Sequence, residues 1–137
     1  MLDRLIDAYP EERWQGEGQT HWKQILHAAT GMKFWFRSAD EPFRVPDFGR
    51  GVVEGLDKVS PACPTREELR SYLEEVTDRA WRFFDELDDD GLGGPCELTD
   101  KLTKADVILE QIRHVQHHVG VSNGLLKAQG LPTAEWI

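Results

Sequence analysis

Residues 65–87, TREELRSYLEEVTDRAWRFFDEL, carry the clearest secondary-structure signal in the chain. Thr65 followed three residues later by Glu68 is a capping box, the pattern of a helix N-terminus. The apolar residues that follow recur with the 3.6-residue period of an amphipathic helix: Leu69, Tyr72, Leu73, Val76, Ala80, Phe83, Phe84 and Leu87. The stretch therefore predicts a long helix near residues 65–88 with one face against a core.

Two helices are predicted before this one. Residues 1–14 form the first, although Pro10 interrupts it or opens a second turn, because proline fits only at the start of a helix. Residues 20–37 form the second, with Thr20 as its N-cap. The apolar stripe of the second helix is wide and aromatic, which is typical of a helix buried on more than one side.

A fourth helix is predicted near residues 103–129. Thr103 with Asp106 three residues later is another helix-start signature. At the other end, Gly130 is placed to act as the C-terminal glycine, and Pro132 prevents the helix from continuing. This long helix carries three of the five histidines of the chain.

The second and third helices are separated by residues 38–64, which are rich in proline and glycine. This composition predicts a long crossover, with one helical turn near residues 52–59. No segment shows the alternation of a strand. The sequence therefore predicts an all-α fold, a four-helix bundle with a long crossover between the second and third helices, as one domain over residues 1–137.

The composition of the chain argues against several classes of function. The net charge is −9 and no cluster of lysines and arginines occurs, which argues against nucleic acid as a partner. No apolar run reaches the length of a membrane span, and the first residues lack a signal-peptide pattern. Two cysteines, Cys63 and Cys96, are too few for a disulfide framework. A cytoplasmic protein with inert reduced thiols and no membrane partner is expected.

Residues 112–120, IRHVQHHVG, suggest a metal site. His114 and His118 are four residues apart, so on a helix they share one face and can bind one divalent ion. Position 115 is Val115, so the catalytic glutamate of the H-E-x-x-H metalloprotease motif is missing. Two histidines do not complete a site, and a third ligand is needed.

Candidates for the third ligand are His21, His27, the cysteines and carboxylates such as Glu110. His27 fits best, because it lies mid-helix among core-facing residues, where an unpaired imidazole is costly. His21 lies in the first turn of its helix and is expected to be exposed. Glu110 precedes His114 by four residues and shares its face.

Each of these residues also has a purely structural interpretation. The two histidines could form a surface pair, and His27 could be a core histidine with an ordinary acceptor. His117 lies about 100° around the helix from His118, which favours a solvent, interface or outer-shell position. Glu110 could be a base or an outer-shell group, but it could also be a solvated carboxylate or form a salt bridge with Arg113. The aromatic residues are expected chiefly in the core, with some lining a pocket and Trp136 packing back on the bundle: Trp22, Phe34, Trp35, Trp81, Phe83 and Phe84.

Three motifs together resemble the DinB/YfiT-like family across essentially the whole chain. They are Trp22-x4-His27, then His114-x2-His117-His118-x-Gly120, then the closing LLKAQG of residues 125–130. The resemblance implies metal ligands at His27, His114 and His118, and zinc, nickel or a related divalent ion. It also implies a bundle with an unusual connection order that is often a homodimer. Characterised members of the family include thiol-cofactor S-transferases and a mycothiol-dependent isomerase.

Three imidazole ligands leave a coordination position open for water or substrate. The expected function is therefore a metal-dependent enzyme that performs thiol (S-)transfer or hydrolysis on a small-molecule or thiol substrate. The alternative is a non-catalytic metal-binding or stress-response protein with the same fold. No nucleophile triad or phosphate-binding loop decides between them, and no catalytic residue beyond the metal ligands is predicted.

Overall fold

The computed structural model describes residues 1–15 and 19–135 and is mostly helical. This confirms the predicted all-α class. In chain order the elements are helix α1 (Leu2–Ala8), a 3-10 turn (Glu11–Arg13), helices α2 (Gln19–Trp35), α3 (Arg66–Asp85) and α4 (Asp89–Leu92), strands β1 (Pro95–Cys96) and β2 (Thr99–Thr103), and helix α5 (Lys104–Ala128).

The predicted ends of the long helices have clear physical causes. Thr65 and Glu68 form the full capping box at the start of α3, and Thr103 and Asp106 form another at the start of α5. Helix α5 ends at Ala128, and Gly130 just beyond it adopts a positive φ of 70°. The N–H of Leu131 donates to the carbonyl of Leu126, which is the 6→1 hydrogen bond of a Schellman motif.

The first predicted helix is interrupted at Pro10, as expected: α1 ends at Ala8, and Pro10 precedes a separate 3-10 turn, because a proline cannot continue the helix. Two other local predictions were wrong. Helix α2 begins at Gln19, so Thr20 lies inside the helix and is not its N-cap. Residues 52–59 form turns and bends without a helix. The prediction for Trp136 lies outside the described residues.

The short antiparallel pair of β1 and β2 was also not predicted. Pro95 pairs with Thr103 and Cys96 with Thr99, with an irregular register between the two pairs. Strand β2 runs directly into the N-cap of α5. The ladder is too short and too exposed to leave an alternating apolar pattern in the sequence.

Helix α2 lies at the centre of the fold. It packs against both α5 and α3, and α1 contacts all three of these helices. This arrangement agrees with the width of its apolar stripe, since side chains on several faces are fully buried: Trp22, Ile25, Leu26, Ala28 and Ala29. Trp81 and Phe84 of α3 are 62% and 40% exposed, so their predicted core positions were wrong. Both lie on α3 beyond the part that the main core covers.

The connection over residues 36–65 contains no helix or strand, but it is fixed to the bundle along its length. The Nζ of buried Lys23 donates to the carbonyls of Gly55, at 2.9 Å, and Lys58. The Nε1 of Trp14 donates to the carbonyl of Pro64 at 2.8 Å. The Lys23 contacts hold the middle of the connection beside α2, and the Trp14 contact holds its end beside the 3-10 turn. None of the described helices is both long and apolar enough to span a bilayer.

Candidate metal centre

Three histidine side chains converge between α2 and α5. His27 comes from α2, and His114 and His118 come from successive turns of α5. The ring centroid of His27 lies 5.2 Å from that of His114 and 4.9 Å from that of His118, and the last two centroids are 4.6 Å apart. Each ring offers one nitrogen, and the three nitrogens lie within 4.8 Å of one another. The structure thus brings together the three residues that the sequence singled out.

Close packing of the two helices makes this convergence possible. Gly31 lies one turn after His27 on α2, directly against the ring of His114. A Cβ atom at Gly31 would lie 2.6 Å from Cε1 and 2.9 Å from Nδ1 of His114, which is closer than real Cβ atoms approach. The glycine therefore provides the space in which the His114 ring lies.

The His118 ring is oriented by a neighbour on α2. Its Nδ1 lies 2.5 Å from the Oε1 of Gln24, and both residues are buried. Since an amide oxygen can only accept, Nδ1 carries the proton and donates it. The lone pair of His118 is then on Nε2, which is the tautomer that a metal ligand needs when its other nitrogen is a donor.

The His27 ring faces a carboxylate from the connection between α2 and α3. Its Nδ1 lies 3.3 Å from the Oε2 of Glu54. Both atoms are buried, and within the described part of the chain neither has a hydrogen-bond partner. No local pattern in the sequence marks Glu54, because this residue lies in a loop and reaches the site only through the tertiary fold.

Burial keeps the imidazoles of α5 neutral. Desolvation, followed by the neighbouring imidazoles His114, His27 and His117, lowers the pKa of His118 to about 4. Desolvation and the neighbouring rings also lower the pKa of His114, with a smaller opposing effect of Glu54. Metal ligation requires neutral imidazoles with a free lone pair. The donor set and the fixed tautomer of His118 fit a divalent ion, so the group could hold one.

The comparison with protein families agrees with this geometry. The family model of the DinB superfamily matches residues 1–122, a range that includes all three histidines. The chain belongs to the DinB superfamily. No curated protein and no solved structure gave a significant match. The all-α fold and the three-histidine cluster of this DinB-superfamily chain fit a metal-binding protein.

An open cleft of about 780 Å³ lies beside the cluster and reaches His114. Its lining combines one aromatic ring with polar and charged groups: Trp35, Glu110, Gln111, Arg113, His114, Gln116 and His117. Glu110 and Arg113 are exposed and form no ion pair with each other or with any other described residue. His117 is exposed too, with its ring centroid 5.1 Å from that of His118. It lies outside the group of converging nitrogens.

The remaining candidate ligands lie elsewhere. His21 was expected to be exposed, but it is 1% exposed, because α1 covers it. Its Nε2 lies 2.7 Å from the carbonyl oxygen of Leu5, and its ring stacks on Tyr9 at 4.8 Å. Cys63 is half-buried, and burial raises the pKa of its thiol, which favours the unreactive form. Cys96 is buried beside Phe36 and Val107 in a second core cluster.

Three residues that shape the site were not found from the sequence: Gln24, Gly31 and Glu54. Two of them left a usable signal. Gln24 precedes His27 by three residues and so lies on the same side of α2. Gly31 interrupts a helical pattern, which often marks a close approach between elements.

Proposed function

We propose that this chain is a divalent-metal-dependent enzyme of the DinB superfamily, with one ion held by His27, His114 and His118. The single observation that carries the proposal is the convergence of three imidazole nitrogens within 4.8 Å between two packed helices. Zinc or nickel is the proposed ion, because both accept imidazole ligands readily. The unit that binds it is the whole of residues 1–137, acting as one domain in the cytoplasm.

The proposed chemistry is thiol (S-)transfer or hydrolysis. An ion held by three imidazoles has an open position, where it lowers the pKa of water towards about 7 and favours the thiolate form of a bound thiol. The protein's own contribution is to keep the imidazoles of His114 and His118 neutral through burial, and to fix the ring of His118 through its hydrogen bond to Gln24.

The cleft beside His114 is the proposed substrate site. It opens to solvent and is large enough for a small molecule. Trp35 offers an aromatic wall, and Arg113 offers a guanidinium that has no ion-pair partner among the described residues. These groups suit a small molecule or thiol that carries a carboxylate, because arginine binds carboxylates in a bidentate fashion. An open cleft of this kind favours an enzyme over a purely structural metal site.

A homodimer is the proposed assembly. The aromatic side chains of α2 are largely used within the chain, since the ring of Phe34 packs against Trp35 at 5.2 Å and against Phe43 at 5.1 Å. The proposal is supported by large apolar side chains that remain exposed on α3 and α5, among them Trp81 and Ile112. Phe84 of α3 and Ile112 of α5 line the same apolar groove, and contiguous exposed apolar groups of this kind are typical of protein interfaces.

The test is a metal analysis of the purified protein, followed by a screen for thiol transfer and ester or amide hydrolysis with and without a chelator. The expected result is a turnover that a chelator abolishes and that added zinc or nickel restores, and that is lost in His114→Ala. Turnover that persists after complete metal removal would overturn the proposal. Stoichiometric metal without any turnover would instead support the alternative, a non-catalytic metal-binding or stress-response protein.

A further inference from the structure

Two buried polar atoms face each other at the edge of the three-histidine cluster. The Nδ1 of His27 and the Oε2 of Glu54 are 3.3 Å apart, and neither atom has a hydrogen-bond partner within residues 1–15 and 19–135. The side chain of Glu54 is 21% exposed, so its carboxylate is drawn largely out of solvent. A buried carboxylate oxygen without a partner is costly, and the imidazole N–H is the complementary group.

A second histidine of the cluster also has a side-chain oxygen beside its Nδ1. The Nδ1 of His118 donates to the Oε1 of Gln24, which leaves Nε2 with the free lone pair. A carboxylate beside the Nδ1 of His27 would fix this ring in the same tautomer. Glu54 is absent from the group of donor atoms that lie within 4.8 Å of one another. Its position therefore suits an effect through His27 and not direct ligation.

We propose that Glu54 is a positioning residue of the metal centre: its carboxylate accepts the proton of His27 Nδ1 and so presents Nε2 as the ligand atom. The inference rests on the proposed metal site. An anionic acceptor behind an imidazole fixes the orientation of the ring and raises the basicity of the ligating nitrogen. It also places one negative charge next to a divalent ion whose three ligands are neutral.

The connection that carries Glu54 is held in place from the same helix as His27. Lys23 precedes His27 by one turn of α2, and its buried Nζ donates to the carbonyls of Gly55 and Lys58. On the other side of Glu54, the N–H of Val53 donates to Ser60 Oγ at 2.9 Å. The Lys23 contacts fix the residues after Glu54 to α2, and the Val53 contact ties the residue before Glu54 to the same loop. The carboxylate of Glu54 thus reaches the three-histidine cluster from a loop that is anchored close to this cluster.

The experiment compares wild-type protein with Glu54→Ala, Glu54→Gln and a control, Asp40→Ala, which removes an exposed carboxylate of the same connection. Zinc affinity is measured by competition with a chromophoric chelator. We expect Glu54→Ala to weaken zinc binding by about 10–100-fold, the usual effect of removing an outer-shell partner. Glu54→Gln keeps an acceptor oxygen but loses the charge, so it should lie between Glu54→Ala and wild type. Asp40→Ala should bind zinc as wild type does.

A second measurement separates positioning from a general loss of structure. Long-range ¹H–¹⁵N NMR spectra of the metal-free protein report which nitrogen of His27 carries the proton. We expect the Nδ1–H tautomer in wild type and a mixture of tautomers in Glu54→Ala, with circular dichroism unchanged. If the alanine variant does not fold, the isosteric Glu54→Gln variant is compared with wild type in its place.

The outcomes distinguish this inference from the proposed function. Zinc affinity equal to wild type in both Glu54 variants, or a predominantly Nε2–H tautomer of His27 in wild type, would overturn the role of Glu54 while leaving the metal site intact. A wild-type protein that binds no zinc would overturn the metal site itself. In that case the tautomer of His27 still decides whether Glu54 controls the ring.

Discussion

Replacing Gly31 by alanine should separate metal binding from folding. The added Cβ would lie 2.6 Å from Cε1 of His114, about 0.8 Å inside the 3.4 Å at which ordinary van der Waals contact begins. The imidazole is the end of a flexible side chain, so the ring can swing away without disturbing the helix backbone. Metal–nitrogen distances tolerate only about 0.2 Å. A displacement several times larger removes His114 from the cluster.

The expected magnitudes follow from this geometry. Loss of one of three imidazoles should weaken zinc affinity at least tenfold, which corresponds to about 1.4 kcal/mol. The stability of the metal-free protein should change little, because alanine is favoured over glycine in a helix by about 0.8–1 kcal/mol and this gain offsets the repacking. The fold would survive while the site is lost.

Gly124→Ala is the matched control. Gly124 is also a glycine of a long helix, and a Cβ there would meet nothing within 4 Å. This variant should gain about 0.8–1 kcal/mol in the free energy of unfolding and bind zinc as wild type does. Zinc affinity is measured by isothermal titration calorimetry and stability by urea unfolding of the metal-free proteins. Wild-type zinc affinity in Gly31→Ala would refute the reasoning, because the ring of His114 would then not be required where the structure has it.

Three further predictions concern ligation, pH and assembly. His118→Ala should lose stoichiometric metal while His117→Ala retains it, as measured by elemental analysis, because His118 is one of the three residues whose nitrogens converge and His117 is not. The folded-state pKa of His118, about 4, lies below the ordinary value of about 6.5. Between these two pH values the unfolded chain therefore binds more protons than the folded chain does. Thermal unfolding of the metal-free protein should therefore show stability that is complete above about pH 6.5 and decreases towards pH 4, with a shallower decrease in His118→Gln. Trp81→Glu with Ile112→Glu should convert a dimer to a 15.7 kDa monomer in sedimentation experiments, and a wild-type protein that is monomeric at high concentration would reject the proposed dimer.

Local sequence signals predicted the long helices well. The two capping boxes and the glycine after α5 act within a few residues of the backbone groups that they satisfy. The helix ends that they set can therefore be predicted from the sequence alone. The spacing of His114 and His118 is also local, because one helical turn aligns them. These features required no knowledge of tertiary contacts.

Features that depend on tertiary contacts could not be predicted in this way. His21 is buried because α1 folds over it and offers the carbonyl of Leu5, which is sixteen residues away. Trp81 is exposed because the main core does not reach its part of α3. Glu54 reaches His27 from a loop that Lys23 anchors to α2 and whose local sequence has no regular pattern. In each case the deciding partner is distant in the chain.

The most direct test of the three-histidine metal site is the metal content of protein purified without a metal-affinity tag. Inductively coupled plasma mass spectrometry of wild type should give one divalent ion per chain after dialysis against metal-free buffer containing zinc or nickel and then buffer alone. The double variant His27→Ala/His118→Ala, which leaves a single imidazole of the cluster, should give none. Metal content that survives in the double variant, with a folded circular dichroism spectrum, would contradict the assignment of the ion to these residues.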